Sequence, residues 1–221
     1  MTDNIVYAMA PPPGVSRDPE APGHSTSLIA IVCTFLPLAG VAMVIRLYTR
    51  ARITRRVAID DYVMLVAFCF GTFLNIEALL MLNYGLGKHL WNVPLEPDLN
   101  PDLVIRDILV SVAYFVAMGC AKCSILLLYL RIFTTTGIQR IIWAVLVYTA
   151  GFSFAAAATT LFSCNPVTGA WIMKATDHVR CINSPAFYFA NAGLNITSDL
   201  MTVAIPIPKL FTLRMPWRRK V

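Results

Sequence analysis

The chain has 221 residues and a mass of 24.4 kDa; 57% of it is apolar and only 14% is Asp, Glu, Lys or Arg, with a mean hydropathy of +0.66. A soluble globule of this size has too much surface to cover with so few charges, which excludes an ordinary cytosolic enzyme and a disordered regulator. The net charge of +6 therefore bears on membrane sidedness, and no nucleic-acid partner is expected.

A bilayer core of about 30 Å needs roughly 20 apolar residues per helix. Five runs meet this, at about 26–48, 62–84, 107–130, 141–163 and 185–207. They are continuous rather than alternating, so helices and not β-strands are predicted. The fold class is all-α, a polytopic transmembrane helical bundle over 26–221. Residues 1–25, with Pro11, Pro12, Pro13, Asp18 and Glu20, have no signal-peptide pattern and are read as a disordered external tail. No repeat relates the spans, which disfavours a repeat-built transporter.

Basic residues set the orientation. Arg46, Arg50, Arg52, Arg55 and Arg56 follow the first run, Arg131 and Arg140 the third, and Lys209, Arg214, Arg218, Arg219 and Lys220 the fifth. The other side holds Arg17, Lys88, Arg106, Lys174 and Arg180. The imbalance of 12 to 5 predicts an external N-terminus and a cytosolic C-terminus in a multi-pass protein, with the plasma membrane as its expected home.

Asp60 and Asp61 open the second run. Asp60 suits an N-cap, and both carboxylates suit the positive helix end. They are expected either to cap and pair with neighbouring arginines or to form a cytosolic ionic latch, for example with Arg131. Glu77, Lys122 and Asp199 are the ionisable residues within runs, and each must face the bundle interior or water. Lys122 and Asp199 each lie eight residues from the cytosolic end of their run, so an ion pair between the third and fifth helices is allowed. Glu77 lies roughly 10 Å further outward. The pair can be a structural register pin, or part of a ligand, proton or ion site.

Between the second and third runs, Gly85 and Gly87 end a helix and turn the chain, and Pro94, Pro97 and Pro101 mark an irregular loop. His24, His89 and His178 have no metal-ligand spacing, so no metal is expected. Cys164 and Cys181 both fall in the loop before the fifth run, on the oxidising side, and a disulfide is predicted. Cys33, Cys69, Cys120 and Cys123 lie in runs and read as small packing residues. Asn195-Ile196-Thr197 matches the glycosylation pattern but sits inside the fifth run, where it is a false match. No hydrolase or transferase motif is present, so no catalytic residue is expected.

The ordered set Arg46-Leu47-Tyr48-Thr49-Arg50, Asp60-Asp61-Tyr62, Gly85-Leu86-Gly87-Lys88-His89, the run from Lys122 to Phe133, Cys164-Asn165-Pro166 with Trp171 and Cys181, and Asp199 with Pro206-Ile207-Pro208 resembles the fungal rhodopsin-domain family. The resemblance implies a receptor-like integral membrane protein with an external ligand and a cytosolic signalling partner. It also implies seven spans, so this chain reads as truncated after five. It implies no retinal and no other cofactor: Lys122, on the third run, is the sole lysine within a run. The competing functions are a transporter or channel using Glu77, Lys122 and Asp199, and a non-signalling membrane assembly component.

Overall fold

The computed structural model describes residues 11–12, 14, 16, 23, 25–84, 86–92, 100–165 and 180–207. Most of the expected external tail, the basic stretch from Lys209 onward, Gly85 and Trp171 lie outside the described residues. Five α-helices follow in order: α1 Ser25–Tyr48, α2 Ile59–Met81, α3 Asn100–Ile132, α4 Thr136–Leu161 and α5 Ser184–Ala204. A π-helical turn, Thr49–Ile53, extends α1, and a 3-10 turn, Leu82–Tyr84, extends α2. A two-residue ladder pairs β1 (Cys164–Asn165) with β2 (Arg180–Cys181), antiparallel, with Cys164 opposite Cys181.

The bundle buries small polar side chains among its apolar ones and turns large apolar side chains outward. Ser124, Thr149 and Ser198 are fully buried, whereas Phe154 and Phe189 are 77% and 79% exposed. Water would drive the reverse arrangement. Lipid does not, because hydrocarbon solvates Phe and Leu as well as a protein core does, and small residues and hydrogen bonds then hold helices together. Among the described residues, four helices are long and apolar enough to cross a membrane: Ser25–Ile53, Ile59–Tyr84, Val104–Ile132 and Thr136–Leu161. The segment expected as the fifth span forms the 21-residue helix α5, which is not among these four. Asn191, Asn195 and Asp199 make it less apolar than the other four.

Helix α3 is the axis of the bundle, with α2 and α4 packed along it; α1 lies outside α2, and α5 lies against α4. Two apolar clusters knit the layers. Phe115, Ala156 and Ala157 pack with Val112 and Phe187 in one half. Leu126, Ile142 and Val145 pack with Tyr129 and Ile205 in the other. At Gly119 the α3 backbone comes so close to α4 that a Cβ there would meet Cβ and Oγ of Ser153 at 2.8 Å. Gly87 takes φ +88° in the turn after α2, where a left-handed backbone favours glycine.

Three local expectations are corrected. Helix α3 begins at Asn100, seven residues before the predicted start, so Pro101 and Arg106 are helical rather than in a loop. Proline in a first helical turn lacks only an N–H that would have no helical partner there, and its φ is already helical. Helix α2 begins at Ile59, and Ala58 rather than Asp60 is its N-cap. Asp61, in the first turn, closes that end: its N–H donates to the Ala58 carbonyl at 3.0 Å, and its carboxylate accepts the Ala58 N–H at 3.2 Å. Helix α4 starts at Thr136, which places Arg140 within it. At α5 the Asn183 side chain accepts the Ala186 N–H at 3.3 Å, with Pro185 in the first turn.

Candidate functional site

The polar side chains form three groups along the bundle. At one end, Arg46 and Arg50 lie one turn apart and face the start of α2. Arg46 donates to Asp60 Oδ2 from Nη2 and to Asp61 Oδ1 from Nε, both at 3.0 Å. Arg50 approaches the same two carboxylates at 3.5 and 3.6 Å. Both aspartates are buried, and two cations balance two anions. Arg131 is not part of this cluster: it is exposed, and no ion pair joins it to either aspartate among the described residues. Arg46, in the last turn of α1, and Arg50, in the π-helical turn after it, occupy both carboxylates. The predicted pairing with neighbouring arginines is the arrangement found. Ser124, on α3, donates to the Asp60 backbone carbonyl at 2.7 Å and ties the cluster to the bundle axis.

The second group is centred on Lys122. Its ammonium is 2.8 Å from Asp199 Oδ1 and donates to the Asn195 backbone carbonyl at 3.2 Å and to the Asn195 side-chain carbonyl oxygen. Three donors meet three acceptors. The Asn195 amide donates onward to the Tyr114 hydroxyl at 3.2 Å. Lys122 is 7% exposed and Asp199 54%, so the cation is sealed while the anion opens to the bundle surface. Thr149 and Ser198 hydroxyls, 3.0 Å apart, join α4 to α5 beside it. Glu77 is elsewhere: its carboxylate is 2.6 Å from Arg106 Nη1, and that guanidinium also lies over the Tyr84 ring.

The third group lines a cavity of about 340 Å³ between α2, α3, α4 and α5. Tyr114, Phe115, Phe152 and Tyr188 form aromatic walls, with Ser111, Ser153, Asn191 and Asn195 as polar points. A second cavity of about 240 Å³ shares Ser111 and Tyr188 with it and reaches the Cys164–Cys181 rim past Asp107, Thr160 and Ser163. The disulfide forms as predicted and joins β1 to β2. Closing a loop of this size is worth about 3 kcal/mol. Cys33 and Cys69 face outward, while Cys120 and Cys123 are half-buried.

Sequence reasoning does not single out Asn195, whose tripeptide reads only as a false glycosylation match, nor Asn191, Ser124 and Tyr114. One signal was available: Asn191, Asn195 and Asp199 recur every four residues, which puts them on one face of α5.

A family model described as Fungal rhodopsin domain matches residues 45–221. The chain is 23% identical over 213 residues to the polyenoic acids biosynthesis gene cluster protein Ba17b of Metarhizium anisopliae, covering 94% of this chain and 56% of that protein. It is 31% identical over 118 residues to a SAT4 family membrane protein of Emericella nidulans, covering 50% of this chain and 29% of that one. The chain thus spans about half the length of the first relative and less than a third of the second. No solved structure matches it. With the family model extending from the end of α1 through α5, and an apolar exterior on every helix it covers, the chain belongs to the fungal rhodopsin domain family of multi-pass membrane proteins.

Proposed function

We propose that the protein is a receptor-like membrane component that recognises an external small molecule and passes the signal to a cytosolic partner, without catalysing a reaction. The observation that carries this reading is that α3 bears polar contacts from the aromatic cavity to the opposite end of the bundle. Tyr114 in the cavity wall accepts from Asn195, which binds Lys122; two residues on, on another face of α3, Ser124 donates to the Asp60 backbone carbonyl. A ligand that shifts α5 would perturb Lys122 and, through α3, the start of α2. The reading takes the Arg46–Asp61 end as cytosolic and the disulfide end as external, which the excess of basic residues on one side supports, and takes the plasma membrane as the protein's home.

Transport along Glu77, Lys122 and Asp199 is less well supported. Glu77 is committed to Arg106 and Lys122 to Asp199 and Asn195, so the three form no single line of open charges. The test is reconstitution in vesicles with a heterotrimeric G protein. Nucleotide exchange is measured while a panel of neutral aromatic ketones and alcohols is added on the disulfide side. Exchange that is lost in Asp61→Asn, with the fold retained, supports signalling. Ion flux without exchange overturns it in favour of transport, and neither response overturns it in favour of an assembly role.

A further inference from the structure

On the wall of the cavity between α2, α3, α4 and α5, one buried polar atom has nothing to bond. The Asn191 side-chain nitrogen is shielded from solvent and has no hydrogen-bond partner among the described residues, while Asn191 itself lines the cavity. A buried amide left unpaired is unfavourable, and a ligand that supplied the missing acceptor would relieve that cost. The charged and amide groups nearby are committed, whereas the Ser111 and Ser153 hydroxyls line the cavity as adaptable groups. Asn195 is shared between Lys122 and Tyr114, and the Lys122 charge is balanced by Asp199. The walls are aromatic, and the volume of about 340 Å³ is at the lower end for small-molecule sites.

We propose that this cavity binds a neutral, flat apolar molecule carrying one hydrogen-bond acceptor, a carbonyl or ether oxygen, which accepts from the Asn191 side-chain N–H. An anion is disfavoured because the walls are apolar and the nearby cation is already paired. A cation is disfavoured because the free group is a donor. The aromatic faces of Tyr114, Phe152 and Tyr188 suit a planar body. Entry is through the smaller cavity under the Cys164–Cys181 rim, which shares Ser111 and Tyr188 with this one. The inference deepens the receptor reading by naming its ligand class, and it rests on that reading for the side of entry.

Benzophenone tests it, being an aromatic ketone that inserts into nearby C–H bonds under ultraviolet light. The full chain in lipid nanodiscs is irradiated with it and the adducts are mapped by mass spectrometry. Adducts should concentrate on cavity residues such as Met118 and Phe115. Protection by fluorenone should exceed protection by fluorene, its analogue without the carbonyl, by about tenfold in concentration, the worth of one hydrogen bond to a donor otherwise left unpaired. Asn191→Leu should bring the two competitors to parity. Adducts confined to outward residues such as Phe154 and Phe189 overturn the site, and equal protection by the two competitors on the unaltered chain overturns the Asn191 contact. Discs are open on both faces and contain no signalling partner. Cavity labelling without nucleotide exchange in the vesicle assay therefore sinks the receptor reading alone, and exchange without cavity labelling sinks this site alone.

Discussion

At the scale of single residues, the bundle's stability depends on how its few charges are matched. Lys122 is sealed and satisfied by three acceptors, two of them from Asn195. Lys122→Met strands Asn195 and Asp199, and Asp199→Leu leaves a buried ammonium with Asn195 alone. Each should cost several kcal/mol, and Lys122→Met with Asp199→Leu should recover much of the sum, because no charge is then unpaired. Thermal melting in detergent reads this; strictly additive losses would show that the two do not interact. Asn195→Leu should also destabilise, by about 1–3 kcal/mol, by removing the side-chain acceptor from Lys122 and the donor from Tyr114. Asp61 carries more than Asp60, since its buried carboxylate takes Arg46, Arg50 and the Ala58 N–H together. Asp61→Ala should therefore lower stability by about 3–5 kcal/mol. Asp60→Ala should lower it less, because the Ser124 bond goes to the Asp60 backbone and survives; equal losses would count against the capping role of Asp61.

At the scale of helices, the crossing of α3 and α4 is set by Gly119 against Ser153. Gly119→Ala has no room without moving one helix, and the loss should be about 1–3 kcal/mol. Gly119→Ala combined with Ser153→Gly should restore it; failure to do so would place the cost in the α3 backbone instead. The paired change Cys164→Ser with Cys181→Ser should lower stability by about 3 kcal/mol, and reductant should reproduce the shift in the native chain. Helix existence was legible from the sequence, because twenty-residue apolar runs have one solution in lipid. Helix starts were less so: the start of α3 at Asn100 adds a polar turn that an apolarity window excludes, and with it the partner of Glu77. The Lys122–Asp199 contact could be placed by counting turns from each helix end. Asn195 could not, because a polar residue in an apolar run shows its spacing but not which neighbour it will face. Arg131 was a reasonable partner for Asp60 by side of the membrane alone, and Arg46 and Arg50 occupy it instead.

At the scale of the whole molecule, the apolar exterior and the buried polar contacts between helices suit a bilayer, and the basic bias predicts how the chain lies in it. Tags at the two ends, probed in intact cells, should find the N-terminal tag accessible and the C-terminal one protected; the reverse would invert the proposed direction of signalling. The length of α3 has a separate consequence. Its 33 residues extend about 50 Å, against a hydrocarbon thickness of about 30 Å. The central helix must therefore tilt or project, and the others are packed against it. In a thick, sterol-rich membrane the Glu77–Arg106 pair is drawn toward hydrocarbon, and in a thin one it stands among headgroups. The thickness of the surrounding membrane thus becomes a setting on the bundle, one that can sort the protein between compartments and bias its shape before any ligand arrives.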